Sequence, residues 1–207
     1  MRDNAEGSSG SDLTGRQQSV LVGTLLGDGC LARHGRYHRL HVKHKGVHRR
    51  LAELKRDIFA NHVSMPLHEF DQRLGGRLFP AVQFATRTSP VFTEWHSRFY
   101  GAGGKIVPQD VDGLLTPLAL AVWFMDDGAA DFAGVTFQTH SFTFEEVTML
   151  GLALRERYRL ETNTRRNKGR WLLYIRSASV DRLEELVGPH ILEEFRYKLV
   201  PRRSRTP

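Results

Sequence analysis

Two apolar stretches that each end in Asp-Gly constrain this chain more than any other feature. Leu21-Val22-Gly23-Thr24-Leu25-Leu26-Gly27-Asp28-Gly29 and Leu120-Ala121-Val122-Trp123-Phe124-Met125-Asp126-Asp127-Gly128 share a length and an ending. Their terminal acids, Asp28 and Asp127, stand about one hundred positions apart, as an internal duplication would leave them. Each stretch reads as a helix that packs along its whole length and delivers a carboxylate at its C-terminal end. An acid at the negative end of a helix dipole is disfavoured by ~0.3–1 kcal/mol, so something else must favour Asp28 and Asp127 there, and a bound divalent cation would do so. Gly23 and Gly27 stand four apart on one helix face, where missing side chains let two helix backbones approach closely and bring the two acids together.

The rest of the composition narrows the partner. Thirty Lys and Arg against 23 Asp and Glu give 207 residues a net charge of +7, with ten His in reserve. That balance favours a polyanion, nucleic acid first and an anionic membrane surface second. No apolar run approaches a bilayer span, and the stretch from Met1 to Asp12 is polar, so neither a transmembrane helix nor a signal peptide is expected. The expectation is an intracellular protein, cytoplasmic, nucleoid-bound or organellar, and not secreted. The single cysteine, Cys30, cannot form an internal disulfide and reads as a small buried residue beside Gly29, so core packing must hold the fold.

In chain order, residues 1–12 read as a flexible tail. Asp12 or Thr14 caps the first helix, which Gly29 ends. Leu31 to Arg50 carries seven Lys and Arg, five His and no acid. Arg39-Leu40-His41-Val42-Lys43 alternates as a strand with one cationic face, after a hairpin turn at His34-Gly35-Arg36. An amphipathic helix from about Val47 to Asn61 follows, with Leu51, Leu54, Ile58 and Phe59 inward. Strands are expected at 67–73 and 78–87, turning at Gly75-Gly76, and then a helix opened by Ser89-Pro90. Residues 101–115 have linker composition and separate a first half, 13–100, from a second, 116–200. In the second half Thr116-Pro117 opens the helix to Asp127, Val135 to His140 alternates as a strand, and Thr143 with Glu146 forms a capping box. Strands at 160–165 and 170–176 turn at Asn167-Lys168-Gly169, and a helix spans 179–187. Residues 201–207 are a basic tail.

The paired motifs resemble those of LAGLIDADG homing endonucleases of the single-chain, two-motif type. Leu21 to Gly29 follows the nine-position signature at its first residue, its third-position glycine and its final Asp-Gly. The second copy departs from it, with Val122 and Asp126 in place of small residues, although Trp123 to Gly128 is similar to second motifs of single-chain members. The resemblance implies an α+β fold of two pseudo-symmetric αββαββα halves, each with a four-stranded antiparallel sheet, together forming a DNA-binding saddle. It carries divalent-metal binding onto Asp28 and Asp127, and implies one cut per strand across the minor groove with short 3′ overhangs.

On that frame Mg²⁺, with Mn²⁺ or another divalent ion as substitute, is expected on Asp28, Asp127 and the backbone carbonyls of Gly27 and Asp126. Lys168 is the expected supporting cation, with Arg77 its weaker counterpart, and His44 and His140, at the ends of corresponding strands, orient water. Candidate DNA contacts are Arg33, Arg36, Arg39, His41, Lys43, Arg73, Arg77 and Gln83 in the first half. In the second they are Thr136, Gln138, Arg165, Arg166, Lys168, Arg170 and Arg176. For any one of these the plainer account is a solvated face, but the acid-free run resists it.

His34, His38, His41, His44 and His48 raise zinc, yet structural zinc spacings usually include cysteines and these imidazoles alternate faces across a hairpin. The expected activity is therefore site-specific double-strand DNA cleavage by a monomer, on a long and largely non-palindromic target, with intron RNA a further candidate partner. The alternatives are a non-cleaving DNA-binding regulator or an RNA maturase on the same fold, an intein-derived domain, disfavoured by the lack of a splicing Cys or Ser start and His-Asn end, and a generic nucleoid binder, which leaves the matched acids unexplained.

Overall fold

The computed structural model describes residues 12–199, so most of the first tail and all of the basic tail lie outside the described residues. The first half runs α1 (Gly15–Leu26), β1 (Cys30–His34), β2 (Tyr37–Lys45), α2 (Arg49–Ile58), β3 (His68–Leu74), β4 (Arg77–Ala85) and α3 (Pro90–Phe99). A small hairpin, β5 (Tyr100–Gly101) with β6 (Gly104–Lys105), and a one-turn α4 (Val111–Leu114) lead onward. The second half runs α5 (Pro117–Asp127), β7 (Gly128–Ala130), β8 (Val135–Gln138), α6 (Phe144–Tyr158), β9 (Thr162–Asn167), β10 (Arg170–Ile175) and α7 (Val180–Val187), closed by a 3₁₀ segment, Glu193–Lys198. The sheets have the matching orders β1-β2-β4-β3 and β7-β8-β10-β9, antiparallel throughout. The fold is α+β with two αββαββα halves. No helix among the described residues is long and apolar enough to cross a membrane.

Local chemistry sets the helix starts. Thr14 and Gln17 cap α1 reciprocally, Thr116 accepts from the Ala119 N–H at the start of α5, and Thr143 with Glu146 closes a capping box on α6. The segment between the halves is fastened to the second: the Val107 N–H donates to Glu146 Oε1 at 3.0 Å and Arg157 donates to the Asp112 carbonyl at 3.0 Å.

The two long apolar helices form the centre of one continuous core. In α1 every residue from Ser19 to Leu26 is buried, and in α5 every residue from Ala119 to Met125. The close approach is one-sided. A Cβ on Gly23 would collide with the Ala119 carbonyl and stand 2.7 Å from Val122 Cβ, so glycine on α1 accommodates valine at the matching place on α5. Nor do the helices end alike. α1 stops at Leu26 with Gly27 as its cap, two residues before the expected Gly29, so that Asp28 follows the helix, whereas α5 continues through Asp127 to a cap at Gly128. A Cβ on Gly27 would lie 2.5 Å from Asp126 Oδ2, so the chain turns out of α1 where α5's extra acid needs the room.

Strand pairing sorts the predicted surface residues. In the first sheet Leu40, Val42, Val82 and Phe84 face the helices, and Arg39, His41 and Lys43 face away with Arg77 and Gln83. By the same alternation Arg33 and Arg73 fall on the helix side, and Arg36 lies in the β1–β2 turn beside Gly35 at φ +67°. In the second sheet Gln138, Arg165 and Arg170 share the outward face with Asn163 and Asn167. Arg166 is on the helix side with Trp171, 5.4 Å from its ring centroid, and Arg176 lies past the strand end, 3.2 Å from Glu161. Thr136 faces outward but is buried at 7% exposure, its hydroxyl donating to the Ala129 carbonyl at 3.4 Å.

Candidate active site

The C-terminal ends of α1 and α5 meet, and three carboxylates converge there. Asp28 keeps about half its side chain exposed, at 53%. The Asp126 side chain is fully buried, and its Oδ2 accepts from the Asp28 backbone N–H at 3.3 Å. Asp127 is pushed up to about 8, first by burial and then by the negative charges of Asp28 and Asp126. Asp28 is raised as well, by burial and then by Asp126. Burial and crowding disfavour charge on Asp28 and Asp127 together, and a bound cation would offset that, so the donor set fits a hard divalent ion.

Asp126 differs from the other two because it already has a partner. Lys55 Nζ, itself with no exposed surface, lies 2.7 Å from both oxygens of Asp126 and 3.3 Å from His44 Nε2. Asp28, His44 and Asp126 place one donor atom each within 4.8 Å of the others, but an ammonium holding both Asp126 oxygens would repel a metal ion there. The ion pair makes Asp126 a support, and leaves Asp28 and Asp127 as the carboxylates that could hold a metal. With Lys55 donating to Nε2, the His44 proton belongs on Nδ1, which faces Asp28 Oδ2 at 3.9 Å. Burial and the Lys55 charge push His44 down to about 3, so its ring is neutral at physiological pH.

Two further lysines frame the acids from either half. Lys105 Nζ donates to the Gly27 carbonyl at 2.7 Å, and Lys198 Nζ to the Met125 carbonyl at 2.6 Å with a longer 3.4 Å approach to the Asp126 carbonyl. Both have their pKa lowered, chiefly by burial. The two carbonyls expected to take metal are thus lysine acceptors here. A cation at each helix C-terminus also answers the dipole that makes an acid unfavourable there.

Several expected residues sit elsewhere. Lys168 occupies the exposed β9–β10 turn at φ +48°, five residues along from Leu173, whose row contains Phe137 and Gly128 beside the acids. At about 3.3 Å per strand residue that is on the order of 15 Å, beyond a lysine's reach to the centre. Arg77 is likewise at a hairpin tip, paired with Leu74. His140 lies after the end of β8 and is exposed; pairing puts Thr139 opposite Trp171 as His44 is opposite Val82, so the counterpart of His44 is Thr139, whose hydroxyl donates to the Trp171 carbonyl at 2.8 Å. His34, His38, His41 and His48 join no three-donor metal group among the described residues.

Sequence reasoning missed Lys55, Lys105 and Lys198. A signal existed for Lys55, which stands four residues after Leu51 and four before Phe59 on the buried stripe of α2. A weaker one existed for Lys105 and Lys198, each beyond the third main helix of its own half.

A groove of about 760 Å³ runs from Asp28 along the outward face of the first sheet, lined by Lys43, Lys45, Gln72, Leu74 and Phe79. The acid centre and the cationic sheet face are therefore one surface.

Comparison with known proteins agrees with this geometry. The chain is 29% identical over 188 residues to cytochrome b mRNA maturase bI2 of Debaryomyces hansenii, covering 87% of this chain and 72% of that protein. It is 29% identical over 198 residues to the protein of the same name from Saccharomyces cerevisiae, where it covers 87% of this chain but spans only 46% of the relative's length. Among solved structures, the homing endonuclease I-WcaI bound to its DNA recognition sequence superposes with a TM-score of 0.85 at 26% identity, covering 91% of this chain and 88% of that one. The LAGLIDADG DNA endonuclease family profile matches residues 18–183, most of the chain, and with two acid-ended helices packed at the centre of paired four-stranded sheets the protein belongs to that family.

Proposed function

We propose that the chain is a monomeric, divalent-metal-dependent endonuclease that cuts both strands of a long, largely non-palindromic DNA site. The observation that carries this reading is the convergence of Asp28 and Asp127 from separate halves onto one charged centre that opens into a cationic sheet face. Asp28 and Asp127 would hold the ions. Mg²⁺ there would acidify an attacking water and offset charge on both oxygens of the scissile bond. The remaining work falls to the chain's own groups. Lys105 and Lys198 supply positive charge beside each acid, Lys55 and Asp126 fix the Asp28 backbone, and neutral His44 turns its Nδ1–H toward Asp28. One duplex strand per acid follows from two acids on two halves.

Selection of cleaved sites from a randomised duplex library in Mg²⁺ tests activity and specificity together; no enriched site would sink the proposal. Lys105→Met and Lys198→Met are each expected to lower kcat by ~10²-fold with Kd for the site changed only a few-fold, read by single-turnover cleavage beside a binding titration. Affinity for the selected duplex is expected to fall by ~10³-fold or more between about 50 and 200 mM salt, because the outward faces meet phosphates through Lys and Arg. A flat salt profile would contradict a cationic saddle.

The maturase relatives favour a second reading, in which the same chain also assists splicing of an intron RNA. Retained RNA-dependent splicing activity in an Asp28→Asn variant that no longer cuts DNA would support it.

A further inference from the structure

The first sheet's outward face has a feature that a purely cationic DNA surface lacks. Leu74 is 53% exposed and Phe79 45% exposed, and both line the groove that begins at Asp28. Register puts them in successive rows of one face: Leu74 opposite Arg77, then Gln72 opposite Phe79, then Phe70 opposite Ala81. Val47, 79% exposed, lines the same groove from the segment after β2. The second sheet is different. Its outward face carries Asn163, Arg165, Asn167 and Arg170, and the apolar residues in the same rows, Leu172 and Tyr174, are each only 6% exposed, so hydrogen-bonding groups and not hydrocarbon meet the solvent there. Exposed apolar surface this concentrated marks a contact site, and its continuity with Lys43, Lys45 and the acids points to a polyanion with apolar groups at fixed spacing.

We infer, resting on the endonuclease reading, that Leu74 and Phe79 determine sequence specificity in the first half-site by packing on thymine 5-methyl groups in the major groove. That methyl is the apolar group a base edge presents there. Rows two residues apart along a strand are separated by about 6.7 Å, close to two base-pair steps, so the two side chains address thymines about two pairs apart. Gln72 and Arg77, in the same rows, are set to take the adenine and guanine edges beside them. The two half-sites are thus read by different chemistry, methyl contact in one and hydrogen bonding in the other.

The test replaces thymine with uracil, which lacks only the methyl, one position at a time in the selected duplex. Uracil at one or two positions of the first half-site is expected to weaken binding about fourfold each, the worth of one buried methyl group, with less than twofold change in the second half-site. Leu74→Ser and Phe79→Ser, both at exposed positions, should each erase the discrimination at one of those positions. Equal binding of thymine and uracil duplexes throughout overturns the inference while leaving the nuclease reading intact, as does wild-type discrimination in both serine variants. A change of oligomeric state in Leu74→Ser without DNA overturns it by assigning the patch to chain–chain contact. Failure of the wild-type chain to bind any duplex removes the nuclease reading and this inference with it.

Discussion

Asp127→Asn is expected to abolish cleavage, by ~10³-fold or more, while making the metal-free protein more stable at neutral pH. The sign follows from the site. An ordinary aspartate titrates near 3.8, but in the folded chain burial and the charges of Asp28 and Asp126 push Asp127 up to about 8. Between those values the folded state binds a proton that the unfolded state has lost, so metal-free stability falls as pH rises from about 4 to about 8 and levels off above. Asparagine is never charged, so the variant escapes that loss, and its advantage over the wild type grows across the same window. Divalent metal acts in the opposite sense. It binds the ionised pair in the wild type and raises its melting temperature, most at the alkaline end, and it should scarcely shift the variant. Thermal melts of both proteins at pH 5 and pH 8, with Mg²⁺ and with chelator, read all eight conditions. A variant that cuts DNA at the wild-type rate, or that melts below the wild type at pH 8 with chelator present, would sink the assignment of Asp127 as a buried metal acid. Asp28→Asn shares the loss of cleavage but, with its side chain half exposed, has less stability to gain.

Much of this centre was legible from residue order because its main components are local. A run of apolar residues ending in Asp-Gly declares a buried helix and an acid at its end without reference to anything remote, and finding it twice declares the pairing. The caps at Thr14, Thr116 and Thr143 were legible for the same reason, since each bond spans three residues. What escaped was set by tertiary partners. Lys55 lies in a helix rich in charge, where lysine ordinarily reads as solvated, and its carboxylate partner is 71 residues away. Lys105 and Lys198 bond to helix-end carbonyls 78 and 73 residues away, and nothing in their neighbours predicts that. His140 was misjudged by a single position, because β8 stops at Gln138 and Thr139 takes the inward place. The end of α1 was misjudged by two, because Asp126, which stands where the first motif has Gly27, occupies space that a longer α1 would need.

Gly23→Ala is expected to destabilise the fold by ~1–3 kcal/mol, a drop in melting temperature of about 2–4 °C for each kcal/mol, although it adds one methyl group. That methyl meets the Ala119 carbonyl and lies 3.0 Å from the Trp123 nitrogen, both backbone atoms of α5 that no rotamer change can move. Shortening Val122 to Ala in the same chain should therefore restore little, because alanine keeps the Cβ that the new methyl meets and leaves the backbone contacts in place. Gly15→Ala is the control. Nothing lies within 4 Å of its Cβ, and at the first position of α1 the change should be neutral or slightly stabilising. Catalysis should suffer beyond what stability explains. The two helices carry Asp28 and Asp127 at their ends, so wedging them apart displaces the acids relative to each other, and a misplacement near 1 Å can cost ~10²-fold in rate. Measured well below its melting temperature, Gly23→Ala should thus lose kcat with little change in DNA affinity, because the sheet faces that meet the duplex lie within single halves. Full activity at that temperature would mean that the helix contact holds the fold together without setting the distance between the acids.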